Sequence, residues 1–105
     1  MQEFTKLQKQ VFEYDKKYGW LNDKIAHILL HMQEELGEIS RRILRYEEYK
    51  KENFSIEELS QEITDLLYLT FKLANKFQIN LDYEWENMWK RYENKVNRQV
   101  KEGEQ

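Results

Sequence analysis

The chain has 105 residues, 35% charged and 40% apolar, with 17 basic against 20 acidic side chains and a net charge of −3. This length holds one domain, and the absence of cysteine excludes a disulfide scaffold, a thiolate zinc site and cysteine nucleophile chemistry. The acidic balance argues against a dedicated nucleic-acid binder, and three widely spaced glycines cannot build a phosphate-cradling loop.

Without proline, the chain has few places to turn, so its helices must be long. No apolar run approaches the ~20 residues of a membrane span, and the start lacks a signal-peptide core, which predicts a cytoplasmic protein without membrane attachment. Four amphipathic segments follow. The first spans about 3–18, with Phe4, Leu7, Val11, Tyr14 and Tyr18 at spacings of three and four. Gly19 ends it, and Asn22 is the expected N-cap of the second, about 22–49. There the stripe is Ile25, Ile28, Leu29, Met32, Leu36, Ile39 and Ile43.

The third helix, about 55–78, opens on a capping box of Ser55 and Glu58, with Phe54 and Leu59 placed as a hydrophobic staple. Its stripe runs through Ile63, Leu66, Leu67, Thr70, Leu73, Ala74 and Phe77. Asn80 or Asp82 caps the fourth, about 81–100, with Trp85, Met88, Trp89, Tyr92 and Val96 as its stripe and a frayed tail from Lys101. These elements predict a single all-α domain over 1–105, an antiparallel four-helix bundle. Four stripes make a modest core, and an aromatic fraction of 14% exceeds what one small bundle hides. Assembly as a homodimer or homotetramer is therefore expected.

Most acidic residues read as partners of lysine and arginine on wet helix faces. Two pairs do not. At about 100° per residue, Glu35 falls roughly 20° from Ile28, with Glu38 about 60° further round. On the third helix Glu62 lies between the directions of Leu69 and Leu73, with Asp65 about 60° beyond. If the two helices are neighbours, four carboxylates face one another and require cations. Oxygen ligands favour Mg²⁺ or Mn²⁺ over zinc. The alternative is pairing with Arg41, Arg42, Lys72 and similar neighbours.

Glu34-Glu35-Leu36-Gly37-Glu38 followed by Glu62-Ile63-Thr64-Asp65 resembles the E-E-x-x-E … E-x-x-D signature of the MazG-like nucleotide pyrophosphohydrolases, an all-α superfamily. Leu66-Leu67-Tyr68 and Leu73-Ala74-Asn75-Lys76 resemble the family's apolar continuation, and the likeness covers roughly 20–96. The resemblance implies a Mg²⁺-dependent hydrolysis of nucleoside triphosphates to monophosphate and pyrophosphate in nucleotide-pool sanitation. It implies Glu35, Glu38, Glu62 and Asp65 as metal ligands, with Mn²⁺ as a substitute. Glu34, Glu35 and Glu38 are the catalytic candidates, Glu34 as an additional acid, and one of these carboxylates positions the attacking water. By position, Arg91 and Lys95 match the phosphate-holding cations of the last helix. Their order is inverted relative to the family, and Trp89 stands where an asparagine is common; a one-turn shift would substitute Lys90 or Arg98. The rival reading is a helical nucleotide-sensing or interaction module of the same fold with little or no catalysis.

Other features carry less. His27 and His31, at i and i+4, are a minor candidate for a metal pair. Gly37 inside a helix suggests close approach by a backbone or ligand, or simple packing. Trp20, Trp85, Trp89 and Tyr92 are core or interface aromatics before they are base-stacking ones. Arg41, Arg42, Arg45, Lys50 and Lys51 suit a helix C-terminus.

Overall fold

A computed structural model describes residues 2–47 and 53–103. All regular structure among them is helical: α1 (Glu3–Lys17), α2 (Ile25–Glu47), α3 (Ile56–Lys76) and α4 (Leu81–Gly103). α3 is the centre, packed against α2 on one side and α1 on the other, while α4 leans on α1. No described helix is long and apolar enough to cross a membrane.

The helix ends follow local chemistry. Gly19 adopts φ +76° after α1, where the amide of Trp20 donates to the carbonyl of Asp15 at 2.7 Å. A left-handed residue there costs glycine nothing. α3 opens as its sequence predicts, with Ser55 Oγ accepting from the amide of Glu58 at 3.2 Å. The return half of the box is replaced, because the Glu58 carboxylate turns to Arg42 on α2. Phe54 lies against Tyr46, ring centroids 5.0 Å apart.

The start of α2 and the end of α4 differ from expectation, and the expected end of α2 falls outside the described residues. α2 starts at Ile25 rather than 22, since residues 20–24 form a turn tied to α3 and the carbonyl of Lys24 takes the first amides of the helix. Residues 48–52, including Lys50 and Lys51, lie outside the described residues. α4 continues through Lys101 to Gly103.

Asn80 caps α4, its Oδ1 accepting from the amide of Tyr83 at 3.1 Å. Asp82 does something else. α1 has no side-chain cap of its own, and Asp82 supplies one from α4 by accepting from the amides of Phe4 and Thr5 and from the Thr5 hydroxyl. Beside it Gln8, buried, donates to Asn75 and to the carbonyl of Ile79, and accepts from the amide of Leu81.

A second polar network fixes the α1–α2 connection. Lys72, buried on α3, donates to Asp23 at 2.6 Å and lies 3.9 Å from Asp15. The Tyr68 hydroxyl donates to Asp15, and burial together with that bond pushes the phenol well above its ordinary range. Lys76 donates to the carbonyl of Leu21. The Lys72 ammonium also sits 5.9 Å from the ring centres of both Trp20 and Tyr68.

The apolar core is small. Among the described residues its buried hydrophobic members are Val11, Ile28, Leu69, Phe71 and Ala74. Much of the expected stripe on α2 stays outside: Ile25, Leu29, Leu36 and Ile43 are exposed, because α3 is the main helix packed on α2 among the described residues and covers only part of its apolar arc. The same holds for Ile63 and Leu67 on α3 and for most of the α4 stripe.

Candidate functional site

The site grows from the α2/α3 contact. Both helices are held in register by Arg42, which pairs with Glu58 and reaches Glu62 at 3.7 Å. This register places Glu35 of α2 opposite Glu62 and Asp65 of α3, where one carboxylate oxygen from each lies within 4.8 Å of the others. Glu35 and Glu62 are half-buried and Asp65 is exposed.

Three like charges at that distance repel strongly unless a proton or a cation intervenes. The Glu35 carboxyl is accordingly pushed up to about 7. A hydrogen bond shared with Glu62 is the main cause, followed by burial and by the charges of Glu62, Asp65 and Glu38. One oxygen, Glu35 Oε2, is buried without a hydrogen-bond partner among the described residues, and so is Arg42 Nε. A buried polar atom left so costs roughly 1–3 kcal/mol. The donor set is all oxygen, which suits a hard divalent ion.

The remaining predicted residues are elsewhere. Glu38 pairs with Arg41 one turn on, and this guanidinium holds its carboxyl below the usual range. Glu34 is exposed beside Glu35. Arg91 and Lys95 are exposed on α4, which packs on α1 rather than against the acidic cluster. Lys72, weighed as a partner for these carboxylates, is committed to Asp23 and Asp15 instead. His27 and His31 are exposed and do not join the acidic group. Around Gly37 an added Cβ would meet nothing within 4 Å, so no backbone approaches it in the single chain.

Alongside the acids lies a feature the periodicity did not disclose. A groove of about 660 Å³ runs between α1 and α3, lined by Leu7, Val11, Tyr14, Leu67 and Phe71 together with Asp65. Asp65 thus belongs both to the acidic cluster and to this largely apolar groove. The signal was present in Leu7, Val11 and Tyr14, but which face of α3 they meet depends on long-range pairs such as Gln8–Asn75.

No protein-family model, no curated protein and no solved structure matches the chain.

Proposed function

We propose that the chain is a Mg²⁺-dependent nucleoside triphosphate pyrophosphohydrolase of MazG-like type, acting in the cytoplasm on the nucleotide pool. Its helices would form an antiparallel bundle completed by further copies of the chain. The observation that carries this reading is the meeting of Glu35, Glu62 and Asp65 within 4.8 Å, with Glu35 Oε2 buried and unpartnered. The sequence resemblance supplies the reaction.

Glu35, Glu62 and Asp65 would hold the Mg²⁺, or Mn²⁺ in its place, and the resemblance adds Glu38. When bound, the ion neutralises triphosphate charge and acidifies a water molecule. The chain's own groups do the rest. Water attacks phosphorus, the α–β anhydride bond breaks, and pyrophosphate leaves with the bond's electron pair. Glu34, Glu35 or Glu38 takes the proton of the attacking water. Arg91 and Lys95 hold phosphate oxygens, the arginine with two parallel N–H donors and the lysine as a point charge.

The test is product analysis with a nucleotide panel and Mg²⁺. Monophosphate and pyrophosphate are expected. Diphosphate with orthophosphate would exclude α–β cleavage. Glu62→Gln and Asp65→Ala should abolish turnover while far-ultraviolet circular dichroism stays helical. A second reading, a nucleotide-sensing or interaction module with no catalysis, draws on one observation: Glu38 is tied to Arg41 and Arg91 and Lys95 stand away from the acids. Mg²⁺-dependent nucleotide binding without any product would favour it.

A further inference from the structure

We propose that Arg42 is a positioning residue for the metal site: bridging Glu58 and Glu62, its guanidinium sets where the Glu62 carboxylate stands opposite Glu35 and Asp65. In this role Arg42 touches neither ion nor substrate and acts through Glu62 alone. The inference rests on the metal role proposed above for the acidic cluster.

Helix geometry brings the parties together. Glu58 and Glu62 are four residues apart on α3 and share a face. Arg42 follows Glu35 by seven residues, about 20° round α2 and two turns along. Glu35 and Arg42 thus share the side of α2 that meets α3.

The fork is divided between two acids. Nη1 donates to Glu58, while Nη2 lies 3.7 Å from Glu62. A guanidinium holds its donors at a fixed separation, so anchoring one on Glu58 fixes the direction of the other. Glu58 gives up a local bond to serve as the anchor. It stands where a carboxylate returns to the N-cap amide of its own helix, and it goes to Arg42 instead.

Burial gives this contact weight. The Arg42 and Glu62 side chains are each 19% exposed, against 50% for Glu58, so water and salt screen the inner pair less than the outer one. Arg42 Nε is buried without a hydrogen-bond partner among the described residues. A donor left so costs roughly 1–3 kcal/mol, offset by the two carboxylates at the other edge of the fork.

The ion sets the tolerance. Mg²⁺ binds oxygen at about 2.0–2.1 Å in a near-ideal octahedron, so adjacent ligand oxygens stand about 3 Å apart. The oxygens of the cluster lie within 4.8 Å and have to draw together to meet it. Two neighbouring arginines divide the acids here. Arg41 hydrogen-bonds Glu38, whereas at 3.7 Å Arg42 steers Glu62 by charge without a hydrogen bond and leaves it able to turn. Lysine at this position keeps the charge and loses the fork, which returns Glu62 to its free rotamers.

Charge-conserving variants separate position from electrostatics. Arg42→Lys and Glu58→Asp both leave the net charge at −3. Mn²⁺ alone, titrated into each protein and followed by electron paramagnetic resonance of the free ion, gives a dissociation constant without any turnover. Arg42→Lys should bind about tenfold or more weakly than wild type, the loss typical when a group orienting a metal ligand is removed. Glu58→Asp should weaken binding too, and the double variant should be no weaker than Arg42→Lys, because both changes break one chain of contacts. Wild-type affinity in Arg42→Lys overturns the proposal, and so does additive loss in the double variant. A merely structural role would lower the melting temperature and leave the Mn²⁺ constant unmoved. If Arg42→Lys loses its helical circular dichroism, Glu58→Asp decides; loss of helix in both overturns the positioning role. Wild-type protein that binds no Mn²⁺ overturns the metal reading of the cluster, whereas wild-type binding with unaltered variants overturns the role of Arg42 alone.

Discussion

Glu35 on α2 and Glu62 on α3 bring carboxylate oxygens within 4.8 Å of each other, and Glu35 Oε2 is buried with no hydrogen-bond partner among the described residues. Such an arrangement is destabilising by itself, and under the proposed function a cation would relieve it. Mg²⁺ should therefore raise the melting temperature, by about 1.4 kcal/mol of stability at ten times its dissociation constant. Glu35→Gln should melt higher than wild type without metal, lose the Mg²⁺ response and lose turnover. Thermal scans with and without Mg²⁺ check this, and an unchanged Mg²⁺ response in the variant would dismiss the cluster as a metal site.

Gly37 lies in mid-helix with nothing within 4 Å of a Cβ position. Gly37→Ala should stabilise the protein by about 1 kcal/mol, since alanine loses less backbone freedom in a helix. Urea unfolding measures it. A destabilised variant would mean that a ligand-free neighbour, such as a second copy, approaches this turn in solution.

Just past the end of α3, Gln78 stands at φ +54°, a left-handed position where L residues are strained. The amide of Ile79 bonds back to the carbonyl of Ala74 at 3.0 Å, a C-terminal motif that glycine fits better. Gln78→Gly should add about 1 kcal/mol, or roughly 5 °C in melting temperature.

Asp82 is buried, which works against its charged form, yet the hydrogen bonds from Thr5 and Phe4 outweigh this and hold its carboxyl below the ordinary 3.8. A depressed acid contributes stability that is present above the unfolded value and lost as the pH falls through the folded one. Asp82→Asn should lower the melting temperature at pH 7 and flatten the acid limb below about pH 4. Equal acid limbs in the two proteins would refute the assignment.

Lys72→Met removes the cation beside buried Asp15 and leaves that carboxylate with the Tyr68 hydroxyl alone. Breaking a buried pair from one side costs about 3 kcal/mol. Chemical denaturation reads the loss, and freed Trp20 fluorescence should shift red.

What the sequence disclosed was whatever depends on near neighbours. Ser55 and Gly19 announced their caps because each acts within four residues. The i,i+3 spacing of Glu62 and Asp65 placed both on the flank facing α2, and Glu35 joined them. Distant pairings were invisible. Gln8 reads as a wet polar residue until Asn75 and Ile79 surround it, and Asp82 reads as the cap of its own helix rather than of α1. Glu38 shares the spacing of its neighbours, yet Arg41 one turn away holds it, a choice between rotamers that spacing does not decide. The extent of uncovered surface was legible only as an excess of aromatic residues; which faces stay bare depends on how α1 and α4 divide the room around α3.

The capping of α1 by Asp82 also has a consequence for synthesis. Translation makes α1 before α4 and reaches Asp82 only 77 and 78 residues after the amides it will bind. Until then the opening turn of α1 has no side chain to close it. The start of α1 is secured from α4, the last of the four helices in chain order, so protection of the Phe4 and Thr5 amides marks the arrival of α4.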